Sequence, residues 1–152
     1  MAINQSMVGE VFTADEPYEV SREKIREFAT ALRDDNPAYH DRDAARALGH
    51  PDVIAPPSFL MIISLEAERR LVYDPALGIA DPRRLVHREQ RFAHRRPVHA
   101  GDRLDVAIRI AKVEYLGDNE VLHFEDRITD AAGELVSTAT STFVSFPAEE
   151  RR

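Results

Sequence analysis

The stretch Val53-Ile54-Ala55-Pro56-Pro57-Ser58-Phe59-Leu60-Met61-Ile62-Ile63-Ser64-Leu65-Glu66 decides the fold. Its first six residues read as an extended approach, and from Phe59 to Tyr73 the reading turns helical. Phe59, Leu60, Met61, Ile62, Ile63 and Leu65 lie almost all round the first turns, and a helix apolar on every side is buried on every side. Phe59, Ile62 and Ile63 are expected to be almost wholly buried. The polar residues come late, at Glu66, Glu68, Arg69 and Arg70, so the far end of this helix is expected to emerge into solvent.

On the N-terminal side, Val11 to Val20 reads as extended. Ser21 reads as a helix N-cap with Glu23 in the first turn. Ile25, Phe28, Ala29 and Leu32 follow at i, i+3, i+4 and i+7, one apolar stripe on a helix. That helix ends near Asp34 to Asn36, because Pro37 disfavours helical geometry in the residue before it. A short helix over about Asp43 to Leu48 is expected next, closed by Gly49.

On the C-terminal side, Asp74 to Pro82 is a loop marked by Pro75, Gly78 and Pro82. Beyond it the period changes to two. Leu85 to Val98 is extended, and Leu104, Val106, Ile108 and Ile110 alternate with Asp105, Ala107 and Arg109. Val121 to Thr129 and Leu135 to Phe146 flank Asp130-Ala131-Ala132-Gly133, the signal of a hairpin. Glu149 to Arg152 reads as a frayed tail, beginning at about residue 147. Helices first and strands afterwards give an α+β chain with an antiparallel sheet, in one domain over residues 1–152.

Composition sets the limits. The chain has 152 residues, 43% hydrophobic and 31% charged, as in a globular domain, and holds no apolar run of bilayer length. A formal charge of −7 argues against a nucleic-acid partner, which needs clustered Lys and Arg. The absence of cysteine excludes disulfides and thiolate chemistry. Together with an N-terminus that lacks a basic-then-apolar signal, it leaves a cytoplasmic location as the expectation. Lys occurs only at Lys24 and Lys112, and several Arg gather between Arg83 and Arg103. This Arg cluster reads either as a solvated mixed-charge face or as a patch suited to the phosphates of a carrier such as coenzyme A.

Three segments, in order, resemble MaoC-like (R)-specific enoyl-thioester hydratases and 3-hydroxyacyl-thioester dehydratases. The first is Arg33-Asp34-Asp35-Asn36-Pro37-Ala38-Tyr39-His40-Asp41, similar to the family's Gly-Asp-x-Asn-Pro-x-His core. The second is Val53-Ile54-Ala55-Pro56-Pro57-Ser58-Phe59. The third is Gln90-Arg91-Phe92 with Arg96-Pro97-Val98-His99-Ala100-Gly101-Asp102. The resemblance implies a hot-dog fold, an antiparallel sheet wrapped around a long central helix. It implies a thioester of coenzyme A or acyl carrier protein as ligand, in fatty-acid or polyketide-like metabolism, and a homodimer or a heterodimer with another MaoC-like subunit. No cofactor and no metal are implied.

Adding water across a conjugated thioester needs a base for the water, a proton for C2, and stabilisation of charge on the thioester oxygen. In the family an Asp and a His five residues apart hold the water. An Asp alone, with a pKa near ~3.9, is a poor base at neutral pH, whereas a His near ~6.5 exchanges a proton. Aligned on Asn36-Pro37, the family aspartate falls on Asp34 and the histidine position on Tyr39. Aligned on the Asp-to-His spacing, the pair is Asp35 and His40. The Asn-Pro anchor is preferred, since proline fixes the turn that aims the following residues. The resemblance-implied catalytic set is therefore Asp34 and Asn36 with Tyr39 or His40. The substrate-binding set is Pro57, Ser58, Phe59 and Gly101.

Two further departures stand out. Arg33 replaces the glycine that usually precedes the aspartate. Pro56-Pro57 stands where the family often has glycine near the helix start, so only later N–H groups, such as those of Ser58 or Phe59, remain for a thioester oxygen. These changes resemble the partner subunits of heteromeric dehydratases, in which one subunit keeps the Asp and His and the other shapes the acyl tunnel. The plainer reading of Asp34 and Asn36 is a turn, and of His40 a surface loop residue. His87, His94, His99 and His123 are spaced too unevenly on strands to form a metal site. Glu66 and Glu68 read as the helix's solvated end, although some hot-dog thioesterases use a carboxylate on this helix, which keeps that activity as a third reading.

Overall fold

The structure is a computed structural model and describes residues 2–147; the tail expected from about residue 147 falls outside them except for Pro147. The elements run β1 (Val11–Thr13), β2 (Tyr18–Glu19), α1 (Arg22–Ala31), α2 (Pro37–His40), α3 (Arg42–Ala47) and α4 (Met61–Val72). The long strands β3 (Leu85–His94), β4 (Arg103–Leu116), β5 (Asn119–Thr129) and β6 (Leu135–Ser145) follow.

The sheet is antiparallel in the order β1-β4-β5-β6-β3, with β2 also paired to β4. Alternate residues of β4 to β6, among them Leu104, Val106, Ile110, Phe124 and Ile128, pack inward. This curved sheet wraps α4, which is the hot-dog arrangement. The expected hairpin is β5–β6, and its turn is built by Asp130, whose Oδ1 accepts from the N–H of Ala132 and of Glu134 at 3.0 Å each. Strand β4 runs on to Leu116, six residues beyond the last apolar position in its expected alternation. Strand β3 ends at His94, earlier than the expected extended stretch to Val98.

Local sequence explains the helices. Ser21 caps α1, its Oγ accepting from the Lys24 N–H at 3.1 Å, while Ile25 and Ala29 are buried. The helix closes with Asp34 N–H donating to the Ala29 carbonyl and Arg33 N–H to the Thr30 carbonyl, a Schellman motif. Arg33 takes the left-handed conformation this requires, at φ +57°. Asp41 caps α3, and Gly49 follows it at φ +91°. The one-turn α2 is an addition to the expected elements: Pro37 ends α1's neighbourhood but also begins a new helix at its first position, where its missing N–H costs nothing.

Two expectations about the central helix are corrected. Regular α4 begins at Met61, because Phe59 and Leu60 belong to a turn that follows the prolines. Phe59 is wholly buried and meets Phe28 edge-on at 5.5 Å, and Ile63 is buried too, but Ile62 is only half-buried. The helix rests on the sheet with one side, and its opposite side lines an open groove. The end of the helix is not all solvated either. Glu66 is exposed and pairs with Arg69, yet Glu68 is 1% exposed, turned into the core against β6.

Candidate functional site

The three sequence motifs converge on one cleft of about 360 Å³. Tyr39 comes from α2, Ile54 to Pro57 and Leu60 from the approach to α4, and His94 to Val98 from the end of β3. An isolated bridge between Ile54 and His99 and the Ala55 N–H···O=C Val98 bond at 2.7 Å tie the second motif to the third.

The first motif is organised by its own turn. Asp34 Oδ1 accepts from the Asn36 N–H at 3.1 Å, and Asn36 Oδ1 accepts from the Ala38 N–H at 3.1 Å, capping α2. Both side chains thus have local structural work. Of the last two residues of α2, only Tyr39 reaches the cleft. Tyr39 is buried and faces the cleft. His40 lines only a neighbouring polar depression, which it shares with Tyr39, Arg22, Arg26 and Arg42, and its Nε2–H donates to the Asp34 carbonyl at 2.8 Å. The side chains of Asp34 and His40 make no hydrogen bond to each other; the contact is through the backbone.

Tyr39 in this position has the wrong acidity for a base. Burial first, and then the charge of Asp34, push its phenol above the ordinary value, against an opposing contribution from the Asn36 side chain. It is a neutral hydrogen-bonding group at neutral pH and cannot collect a proton from water as an imidazole does.

At the head of α4, Phe59 N–H is consumed by the Pro56 carbonyl at 2.9 Å. Ser58 N–H and Leu60 N–H meet no acceptor among the described residues, and Leu60 lines the cleft. Of the four expected substrate-binding residues, Pro57 lines the cleft and Ser58 sits beside it. Phe59 is sealed in the core, and Gly101 lies in a different depression with Val20, Arg22 and Asp52. The Gly101-Asp102 step has a structural use instead. Gly101 turns at φ +93°, and Asp102 receives both guanidinium nitrogens of Arg96, at 2.8 and 2.9 Å, together with the His99 N–H. Asp130 adds a longer contact to Arg96 at 3.3 Å. This brace holds Arg96-Pro97-Val98 as the cleft's far wall.

Sequence reading missed His94 as a cleft residue, having weighed it only as a metal ligand. Its ring stacks on Phe92 and its Nε2–H donates to the Pro57 carbonyl at 2.9 Å, fastening β3 to the approach to α4. Nothing in its spacing signals this, because Pro57 lies 37 positions away. Three of the seven arginines from Arg83 to Arg103 form ion pairs, Arg83 with Asp81, Arg91 with Glu89, and Arg96 with Asp102. Arg95 is exposed at the cleft and forms no ion pair among the described residues. A second, mostly apolar groove of about 460 Å³ runs along the outer side of α4, between Ile62 and Leu65 and the segment Ala14 to Tyr18. No helix among the described residues is long and apolar enough to cross a membrane.

Comparison with known proteins agrees with this architecture. A UPF0336 protein of Streptomyces coelicolor is 49% identical over 150 residues, covering 99% of each chain. The chain superposes on the C-terminally truncated HadBC (3R)-hydroxyacyl-ACP dehydratase complex of Mycobacterium tuberculosis with a TM-score of 0.83 and 29% identity, covering 91% of this chain and 97% of that one. It superposes on a MaoC-like dehydratase with a TM-score of 0.87 and 31% identity, covering 95% of this chain but only 43% of that longer one. Residues 6–139 match the family described as FAS1-like, dehydratase domain region, and the chain belongs to that family, on the MaoC-like hot-dog fold.

Proposed function

We propose that this chain is a single-domain, acyl-thioester-binding subunit of a heteromeric (R)-3-hydroxyacyl-thioester dehydratase, whose water-handling Asp and His come from a second MaoC-like subunit. The observation that carries this reading is that Tyr39 lines the cleft and His40 does not, its ring being engaged with the Asp34 carbonyl. Geometry precedes acidity in choosing a base, and the cleft position holds a phenol whose pKa is raised.

The remaining features suit a binding role. Ser58 N–H and Leu60 N–H are free to meet a thioester oxygen, where preorganised donors are most effective. Arg95 at the cleft suits the phosphates of a coenzyme A or acyl-carrier-protein arm. The apolar groove beside Ile62 and Leu65 offers surface for an alkyl chain. Strand β3 is ten residues long and stands at the sheet's edge, with unpaired backbone groups that a second sheet would cover. Its C-terminal residue, His94, is in the cleft, so a partner seated on β3 would stand next to the ligand.

The test follows loss of the conjugated thioester absorbance of a trans-2-enoyl substrate. The chain alone is expected to be a dimer by light scattering at micromolar concentration and to hydrate the substrate no faster than buffer. Mixed with a MaoC-like subunit that carries the full Asp and His motif, it should raise that subunit's turnover, most for long acyl chains. Turnover by the chain alone that disappears in Asp34→Asn would replace this reading with that of a self-sufficient hydratase.

A further inference from the structure

Glu68 of α4 and Asp126 of β5 are both sealed in the core, at 1% and 0% exposure. Ser141 of β6 donates its hydroxyl to Glu68 Oε1 at 2.5 Å. Glu68 Oε2, both Asp126 oxygens and the Ser64 hydroxyl have no further partner of hydrogen-bonding geometry. Gln90 is half-buried on the strand position paired with Ser141, and both of its amide atoms are shielded from solvent and unpartnered. Glu68, Ser64, Asp126 and Ser141, from three elements, thus occupy one place between the helix and the sheet.

Among the described residues, no cationic side chain pairs with either carboxyl. Around the pair, α4 contributes Ser64, while Glu66 and Arg69 pair with each other in solvent. On β5 the neighbours of Asp126 are Glu125 and Arg127, which alternate to the other face, and Glu125 is held by Arg109 of β4 at 2.9 Å. The strand partners of Asp126 are Ile108 on β4 and Ala139 on β6. Among the described residues, the titratable groups that face each other here are Glu68 and Asp126. Two carboxylates buried together without a counter-charge repel one another and lose their hydration. One proton removes both problems, because the protonated carboxyl becomes a donor to the ionised one.

We propose that Glu68 and Asp126 are a proton-sharing carboxyl pair that holds α4 on the sheet only while one proton is bound between them, so that folding is coupled to proton uptake. The consequence reaches the ligand sites, since α4 starts at the cleft beside Leu60 and carries Ile62 and Leu65 along the apolar groove. Burial, and for Glu68 the neighbouring charge of Asp126, raise both carboxyls above their ordinary values. For an acid raised by folding, the native state binds more protons than the unfolded one. Stability is therefore fully present below the ordinary carboxylate range and falls as pH rises through the pair's own titration. This proposal stands independently of the dehydratase reading.

The test is urea unfolding of the full chain at one fixed protein concentration, from about pH 6 to about pH 9.5, for wild type and Glu68→Gln. In wild type the unfolding constant is expected to rise with pH, approaching about tenfold per pH unit where one proton is linked. Glu68→Gln keeps a donor for Asp126 but removes the titration, so its slope should be clearly shallower. A wild-type slope of zero, or the same slope in Glu68→Gln, overturns the proposal. Infrared spectroscopy of the folded wild type covers the case in which the variant fails to fold. A carboxylic-acid carbonyl band at neutral pH that vanishes on unfolding supports the shared proton, and absence of that band in the folded chain overturns it.

Discussion

The imidazole of His40 donates from Nε2 to the backbone carbonyl of Asp34 at 2.8 Å. The two residues at the ends of the sequence motif therefore meet through the main chain, and the ring closes its own loop instead of facing the cleft. His40→Ala is expected to cost about 1 kcal/mol of stability for the lost hydrogen bond. It should leave partner-supported dehydratase turnover within about twofold. Denaturant unfolding and the enoyl-thioester assay measure the two effects separately; a loss of several orders of magnitude in turnover would instead make His40 a catalytic residue.

Arg33 stands at φ +57°, where an L side chain crowds its own backbone and glycine does not. The Schellman bonds that impose this conformation do not depend on the side chain. Arg33→Gly is expected to stabilise the chain by up to about 1 kcal/mol, with part of the relief offset by glycine's greater freedom when unfolded. A shift of the urea midpoint to higher concentration at unchanged slope is the expected reading.

Asp52 receives the Arg22 guanidinium at 2.9 and 2.8 Å, with Arg42 nearby. The Arg22 hydrogen bond, opposed by some desolvation and helped by the Val53 N–H, lowers its pKa to about 2. A carboxyl lowered by folding stabilises the native state above its ordinary pKa and loses that contribution as pH falls toward about 2. Arg22 is half-exposed and screened, so Asp52→Asn should cost less than about 1 kcal/mol at neutral pH and nothing at the acid end. Unfolding curves of both proteins that keep the same separation from about pH 6 to about pH 2.5 would show that Arg22 does not hold Asp52 in this way.

Phe59 fills the junction between the approach to α4, α1 and β2, edge-on to Phe28 at 5.5 Å and to Tyr18 at 6.4 Å. Phe59→Ala removes a fully buried ring from between two others and is expected to cost about 3–5 kcal/mol. Thermal and urea unfolding should report this loss together. A cost below about 1 kcal/mol would mean that the ring is not part of the close-packed core.

Local chemistry in the sequence determined where most of the elements lie. The Ser21 cap, the apolar stripe of Ile25 and Ala29, the two-residue period of β4 and the Asp130 turn each follow from neighbours in the chain. The apolar run at the head of α4 and the strands after it made an α+β chain with an antiparallel sheet legible, while the wrap of that sheet around the helix was implied by the motifs' family resemblance. The site was legible only as a set of motifs. Gly101 and Phe59 belong to those motifs because they shape the turns and core around the cleft, and sequence alone does not separate such a role from ligand contact. Tertiary structure decided the directions. One turn of helix between Pro37 and Asp41 let Tyr39 reach the cleft and kept His40 out of it, a difference of about 100° per residue that no spacing rule resolves while the helix itself is unforeseen. It also decided the fate of the polar end of α4. Glu66 and Glu68 look alike in sequence, but two residues of helix turn them to nearly opposite sides. Only the strands laid over one side, β5 and β6, place Asp126 and Ser141 against Glu68 and leave Glu66 to water.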